Sequence, residues 1–99
     1  MSTQLHGLPV RRADVVLVDE TTRSALVVPD QTTTHVLNPT ARAIWELCDG
    51  RTTTDEMVDA ICRVFAVPPD VAARDVELAL DQMTRAGLVH WTDAETGAS

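Results

Sequence analysis

The sequence predicts a small α+β domain with a winged helix-turn-helix-like architecture, in which a three-stranded antiparallel sheet is followed by three helices. Three observations lead to this prediction. Three short runs rich in β-branched residues come first, and turn-forming residues separate them. Three segments with apolar residues at helical spacing follow, each with a residue at its start that commonly begins a helix. A short apolar run at residues 88–91 then comes after the third helix.

Length and composition bound the number of domains. The chain has 99 residues, of which 44% are apolar and 23% charged, as in an ordinary soluble globular protein. At this length a chain forms one core, so two folded domains would not fit. We expect a single domain over residues 14–91. Residues 1–13 are expected to form a flexible arm that can end in an edge segment, and residues 92–99 a disordered tail.

The predicted sheet is a meander. Residues 15–20 and 25–28 are apolar, β-branched runs, and the four residues between them suit a hairpin connection. Residues 29–31, Pro-Asp-Gln, signal a turn, and residues 32–37 form a third run of high β propensity. Three consecutive strands joined by two turns give the three-stranded sheet.

The first helix is predicted over residues 39–48. Asn38 stands at the N-cap position, and Pro39 follows at the first helical position, where its missing N–H costs nothing. Apolar side chains recur on one face of this segment at three- and four-residue spacing. Gly50 supplies the left-handed conformation that ends the helix.

Two further helices follow. The second begins after Thr53 or Thr54 and ends at the two prolines of residues 67–70, and the third runs over residues 69–86 and stops at Gly87. Projection of the third helix at 100° per residue gives a core-facing stripe of six residues. These are Ala72, Ala73, Val76, Ala79, Leu80 and Met83.

A second stripe on the third helix consists of Val71, Asp75, Leu78 and Gln82. It places two aliphatic side chains on a face of the helix that is otherwise expected to be polar and exposed to solvent. One interpretation is that Val71 and Leu78 cover neighbouring strands or are isolated surface residues. The other is that this stripe forms one wall of a peptide groove.

The charge of the chain argues against nucleic acid as a partner. Fifteen acidic side chains outnumber eight arginines, there is no lysine, and the net charge is −7. Such a chain repels phosphate backbones and anionic lipids, whereas it suits a basic or amphipathic peptide. A winged-helix DNA-binding transcription regulator is therefore the weaker alternative. Its reading helix would be the third, which carries four acids against two arginines.

No pattern in the sequence predicts catalysis, a cofactor or a metal. His6, His35 and His90 share no ligand spacing, and Cys48 and Cys62 lack a Cys-x-x-Cys arrangement, so we expect two buried, reduced thiols. There is no nucleophile and base at meaningful spacing and no glycine-rich phosphate loop. No apolar run approaches the ~20 residues of a membrane span, and no signal peptide is recognisable, which favours the cytoplasm and no membrane partner.

Residues 37–50 carry a family resemblance. They read Leu-Asn-x-Thr-Ala-x-x-Ile-Trp-x-Leu-x-Asp-Gly, and a Gly-Leu pair follows the third helix at residues 87–88. This pattern resembles PqqD, the small peptide-binding protein of pyrroloquinoline quinone biosynthesis, over residues 14–90. Proteins of this type are called RiPP recognition elements, where a RiPP is a ribosomally made and post-translationally modified peptide. The threonine run at residues 32–34 departs from the family's compact turn.

The resemblance implies a function and a site. The leader peptide of a precursor would add as a strand to the third strand and lie in the cleft between that strand and the third helix. The residues implied as peptide-binding are Thr33, Thr34, His35, Val36, Leu37, Val71, Arg74, Asp75, Leu78 and Gln82. Leu37 is expected to serve the core more than the peptide. Arg74 would read an acidic leader residue, and Asp75 a basic one.

The resemblance also implies a partner that performs the catalysis. It would be a radical S-adenosylmethionine enzyme, or a leader peptidase and cyclase in a lasso-peptide pathway, while this chain is a non-catalytic peptide chaperone. We expect a leader Kd of about 10 nM to 10 μM, equivalent to about −11 to −7 kcal/mol. A further alternative is a scaffold subunit whose exposed sheet edge pairs with another protein or with its own copy.

Overall fold

The computed structural model describes residues 7–19, 23–32 and 34–92. Five strands and three helices lie within these ranges. In chain order they are β1 (Pro9–Arg11), β2 (Val16–Asp19), β3 (Ser24–Val27), β4 (Thr34–Leu37), α1 (Pro39–Leu47), α2 (Thr54–Phe65), α3 (Pro69–Arg85) and β5 (Val89–Trp91). The α+β class and the order of a three-stranded sheet before three helices are confirmed.

The three predicted strands are β2, β3 and β4, and they form one antiparallel sheet in that order. β2 and β4 are shorter than predicted, whereas β3 has the predicted length but begins and ends one residue earlier. The reason lies in the hairpin, where Ser24 pairs with Asp19 in the strand register and its hydroxyl donates to the Asp19 carboxylate over 2.7 Å. A residue expected in the turn is therefore the first residue of a strand. β4 begins at Thr34, so Thr32 lies outside the strand, while Thr33 lies outside the described residues.

A second sheet joins β1 to β5, and it was not predicted. Val10 pairs with His90, and the side chain of Pro9 is fully buried. The arm predicted over residues 1–13, which was expected to be able to end in an edge segment, thus contains a paired strand at residues 9–11. Thr92, the first residue of the expected tail, exchanges hydrogen bonds with Leu8, and residues 93–99 lie outside the described part of the chain. Local patterns miss this pairing because its partners are about 80 residues apart.

The helix starts follow the capping residues. The Asn38 side chain accepts a hydrogen bond from the Ala41 N–H over 2.7 Å, and Pro39 occupies the first turn of α1. Of the two threonines proposed for α2, Thr53 is the cap, and it forms a capping box with Glu56. The helix ends at Ala66, whose φ of 54° is left-handed.

The core receives side chains from β3, β4, the three helices and β5. Within the predicted stripe of α3, five residues are buried, but Ala73 is exposed because it lies at the margin of that face. Both cysteines are free; Cys48 is buried, whereas Cys62 is only half-buried, contrary to the expectation of two buried thiols. Within the described residues, no helix is long and apolar enough to cross a membrane.

Candidate functional site

Strand β4 lies at the edge of its sheet. It pairs with β3 on one side, and no strand of the described residues pairs with it on the other. Half of its main-chain donors and acceptors therefore point away from the sheet and can pair with an added strand. Its position in the chain, directly before the Asn38 cap, fixes this edge next to the first turn of α1.

The side chains of β4 alternate between two faces. His35 lies opposite Leu26 and Leu37 opposite Ser24 in the antiparallel register, and both of those β3 partners are buried. Leu37 is itself only 7% exposed, so it belongs mainly to the core, as its place beside the helix cap predicts. Val36, on the other face, is 57% exposed.

A groove runs between β4, the start of α1 and α3. It consists of two depressions of about 250 and 140 Å³, which share Asn38, Ala41, Ala79 and Gln82 and are therefore continuous. The remaining lining residues are His35, Val36, Leu37, Met83, Ala86 and Leu88 at one end and Thr40, Ile44, Asp75 and Leu78 at the other. We call this surface the β4–α3 groove.

Six of the ten residues expected from the sequence line the groove. They are His35, Val36, Leu37, Asp75, Leu78 and Gln82. Thr34, Val71 and Arg74 do not line it, because Thr34 lies at the far end of β4 and the two helix residues lie nearer the start of α3. Thr33 lies outside the described residues.

The second stripe of α3 is explained by the groove. Leu78 is 54% exposed, yet its surface faces the depression beside α1. The lining of that depression contains no strand residue, which favours the interpretation of Leu78 as part of a groove wall. Val71, which is 40% exposed and outside the groove, fits the alternative of an isolated apolar surface residue.

The groove presents polar and apolar groups in comparable amounts. Ala41 and Ala79 are the small residues at its centre, and they leave room for larger side chains of a ligand. The His35 ring lies 3.2 Å from the Gln31 side-chain oxygen, between Nε2 and Oε1. Among the described residues that line the groove, Asp75 is the one carboxylate and no arginine is present, which favours a neutral or basic ligand.

Sequence reasoning missed the contribution of α1 to the groove. Asn38 was interpreted as the helix cap and Ala41 as part of the apolar face of the first helix, although both of them, together with Thr40, line the groove. The sequence did contain a signal for this contribution of α1. Only one residue separates the predicted strand from the predicted helix, so the first turn of the helix must lie next to the end of the strand. Ala41 and Ala79 have no functional group that would mark them as binding residues in the sequence.

The described part of the chain contains no candidate metal site. Within residues 7–19, 23–32 and 34–92, no group of three or more His, Cys, Asp or Glu side chains could hold a metal ion. Cys48 is buried, and this burial raises the pKa of its thiol to about 12. A thiol with such a pKa is protonated at neutral pH and is a poor nucleophile.

Comparison with known proteins agrees with these features. A search of curated proteins found no match. A solved structure described as TbiB1 in complex with the TbiA(beta) leader peptide has the same fold, with a TM-score of 0.70 and 24% sequence identity, over 85% of this chain and 99% of that one. The family model for coenzyme PQQ synthesis protein D, PqqD, matches residues 15–89. Since that match spans more than half of the chain, the protein belongs to the PqqD family.

Proposed function

We propose that this protein is a non-catalytic peptide-binding protein that binds the leader peptide of a RiPP precursor and presents the precursor to a maturation enzyme. One observation carries the proposal. The unpaired edge of β4 borders a groove whose opposite wall is formed by Asp75, Leu78 and Gln82 of α3. An edge and a groove together are what a peptide needs in order to bind as an added strand.

The two parts of the site contribute differently to binding. The β4 main chain would pair with the leader main chain independently of its sequence, while alternate leader side chains would enter the groove and provide selection. Ordering a ten-residue peptide costs roughly 10–20 kcal/mol of backbone entropy, so burial of leader side chains must offset most of that cost. The small residues Ala41 and Ala79 make such burial possible.

The likeness to TbiB1 supports the proposal, because that protein was solved with a leader peptide and shares the fold of this chain. Membership in the PqqD family supports it further, since the resemblance of the sequence implies a recognition element of this kind. The catalysis then belongs to the partner. Two partners fit, a radical S-adenosylmethionine enzyme or a leader peptidase and cyclase, and we infer that the encounter takes place in the cytoplasm, where precursors are synthesised.

DNA reading gains no support from α3. A recognition helix needs basic and amide side chains toward the bases and a basic surround for the phosphates. The exposed side of α3 instead carries Glu77 and Asp81, and the net charge of the chain is −7. We therefore do not propose a regulator of transcription.

The decisive experiment identifies a short open reading frame beside the gene of this chain and titrates the protein calorimetrically with the synthetic leader of that peptide. We expect Leu78→Asp to weaken binding at least tenfold, because it replaces an apolar part of the groove wall with an unpaired charge. The melting temperature should stay nearly unchanged, since Leu78 is 54% exposed. Val71→Asp is the matched control, because Val71 is an exposed aliphatic residue of the same helix that lies outside the groove.

Three results would count against the proposal. Absence of saturable binding by the wild type would reject leader recognition. Equal affinity of Leu78→Asp and the wild type would remove α3 from the site. Equal losses in Leu78→Asp and Val71→Asp would point to the charge of the helix and not to the groove.

A further inference from the structure

A second cleft lies on the other side of α3 from the β4–α3 groove. It has a volume of about 710 Å³ and is bounded by the first turns of α2, by α3 and by Trp91 of β5. We call it the α2–α3 cleft. Its apolar lining residues include Val58, Leu80 and Trp91, and its charged lining residues are Asp55, Glu77 and Asp81.

The two sites share α3 but none of its residues. Glu77 and Asp81 face the cleft, whereas Leu78 and Gln82 face the groove. At 100° per residue, Leu80 of the cleft and Gln82 of the groove lie about 200° apart around the helix. Ligands can therefore occupy both sites at once, separated by the thickness of one helix.

The charge of the cleft is one-sided. Three of its ten lining residues are carboxylates and none is basic. Asp81 is ion-paired with Arg85 over 3.2 Å, but Arg85 is 79% exposed, and such a surface pair is easily exchanged for another cation. Among the described residues, no ion pair involves Asp55 or Glu77.

An aromatic side chain closes one end of the cleft. The Trp91 indole N–H donates a hydrogen bond to the Thr84 hydroxyl over 3.0 Å, and that hydroxyl in turn donates to the Leu80 carbonyl over 2.7 Å. The indole is thus tied to α3 while it remains partly exposed to solvent. A held, half-exposed tryptophan beside acidic residues suits an arginine or lysine ligand, through stacking and charge.

We propose that the α2–α3 cleft binds a basic segment of the maturation enzyme, which contributes an apolar anchor to the floor and arginine or lysine side chains to the rim. Charge complementarity identifies this occupant. A second copy of the chain has the same acidic rim and a net charge of −7, so it would be repelled. The inference rests on the proposed function, and it places the enzyme where the leader does not obstruct it.

The first test uses NMR and a synthetic probe, a capped helical peptide with leucines on one face and flanking arginines. Its matched control has glutamate in place of every arginine. We expect the basic peptide to shift the Trp91 indole resonance and to leave that of Trp45, which is 3% exposed, in place. Glu77→Arg combined with Asp81→Arg should weaken this binding at least fivefold, whereas the glutamate peptide should not bind the wild type.

The second test identifies a maturation-enzyme gene beside the gene of this chain and uses the purified enzyme. The same double variant should lose at least tenfold in affinity for the enzyme and keep its affinity for the synthetic leader. An unchanged enzyme affinity, or binding of both peptides alike, would overturn the proposal. So would a doubled mass in light scattering that the double variant abolishes, because a second copy would then occupy the cleft. Failure of the leader to bind, with enzyme binding intact, would reject only the proposed function.

Discussion

At the scale of single residues, the depth of the β4–α3 groove depends on alanines. Ala41 lines both of its depressions and projects from the first turn of α1, next to the edge of β4. It is half-buried and packs against the core, but it also lines the groove, so a larger side chain there can extend into the groove. Ala79 serves the same groove from α3 but is 9% exposed and packs within the core, so it offers no such freedom.

We therefore expect Ala41→Leu to reduce leader affinity by at least tenfold while it changes the free energy of unfolding by less than about 0.5 kcal/mol. The leucine would fill the space that a leader side chain needs. Ala73→Leu is the matched control, because Ala73 is an exposed alanine of α3 that faces the α2–α3 cleft. Calorimetric titration and urea unfolding measure the two effects. Unchanged affinity in Ala41→Leu would show that the leader does not enter this part of the groove.

A second prediction at this scale concerns pH. Burial raises the pKa of the Cys48 thiol from an ordinary value of 9.0 to about 12. Between these values the unfolded chain has lost the proton that the folded chain still holds. The free energy of unfolding should therefore fall as the pH rises from about 9 to about 12, by up to about 1.4 kcal/mol per pH unit. Below pH 9 both states are protonated and this slope vanishes.

The composition of the chain limits the number of other groups that could contribute to this slope. The chain contains no tyrosine and no lysine, so few other groups titrate in this pH range. Cys48→Ala should remove most of the slope in urea unfolding, whereas Cys62→Ala, at the half-buried position, should retain it. An identical alkaline slope in Cys48→Ala would mean that the thiol does not cause it.

At the scale of elements, the sequence patterns predicted features that depend on residues close together in the chain and missed those that depend on distant residues. Asn38 and Pro39 located α1, and Thr53 located α2, because a cap is a contact within four residues and is visible in the sequence. The β1–β5 pairing was missed because its stability comes from a partner about 80 residues away. The groove was predicted in part, since a family pattern identifies β4 and α3 but not the alanines between them.

The end of α2 provides a prediction for an element boundary. Ala66 adopts a left-handed φ of 54°, which costs an alanine about 1 kcal/mol more than a glycine. The extra entropy of glycine in the unfolded chain offsets part of this gain. Ala66→Gly should therefore raise the free energy of unfolding by a net amount of at most roughly 0.5–1 kcal/mol. Ala60→Gly, within α2, should lower it by about 1 kcal/mol. Destabilisation by both substitutions would contradict the left-handed conformation at Ala66.

At the scale of the whole molecule, the question is where the folded domain begins. The sequence predicts a start at residue 14, and the PqqD match begins at residue 15. The structure adds β1 in front of that domain, with the Arg11 N–H bonded to the Cys48 carbonyl over 2.8 Å and the Gly50 N–H to the Pro9 carbonyl over 3.0 Å. These bonds connect β1 both to β5 and to the end of α1.

We expect deletion of residues 1–12 to lower the free energy of unfolding by about 2–4 kcal/mol. The deletion uncovers the surface that the buried Pro9 covers and leaves the Cys48 carbonyl without its main-chain donor. Leader affinity in the folded fraction should change less than twofold, because β1 does not line the β4–α3 groove. Urea unfolding and calorimetric titration test both parts. An unfolding midpoint equal to that of the full chain would instead support a domain complete over residues 14–91, with β1 as an accessory strand.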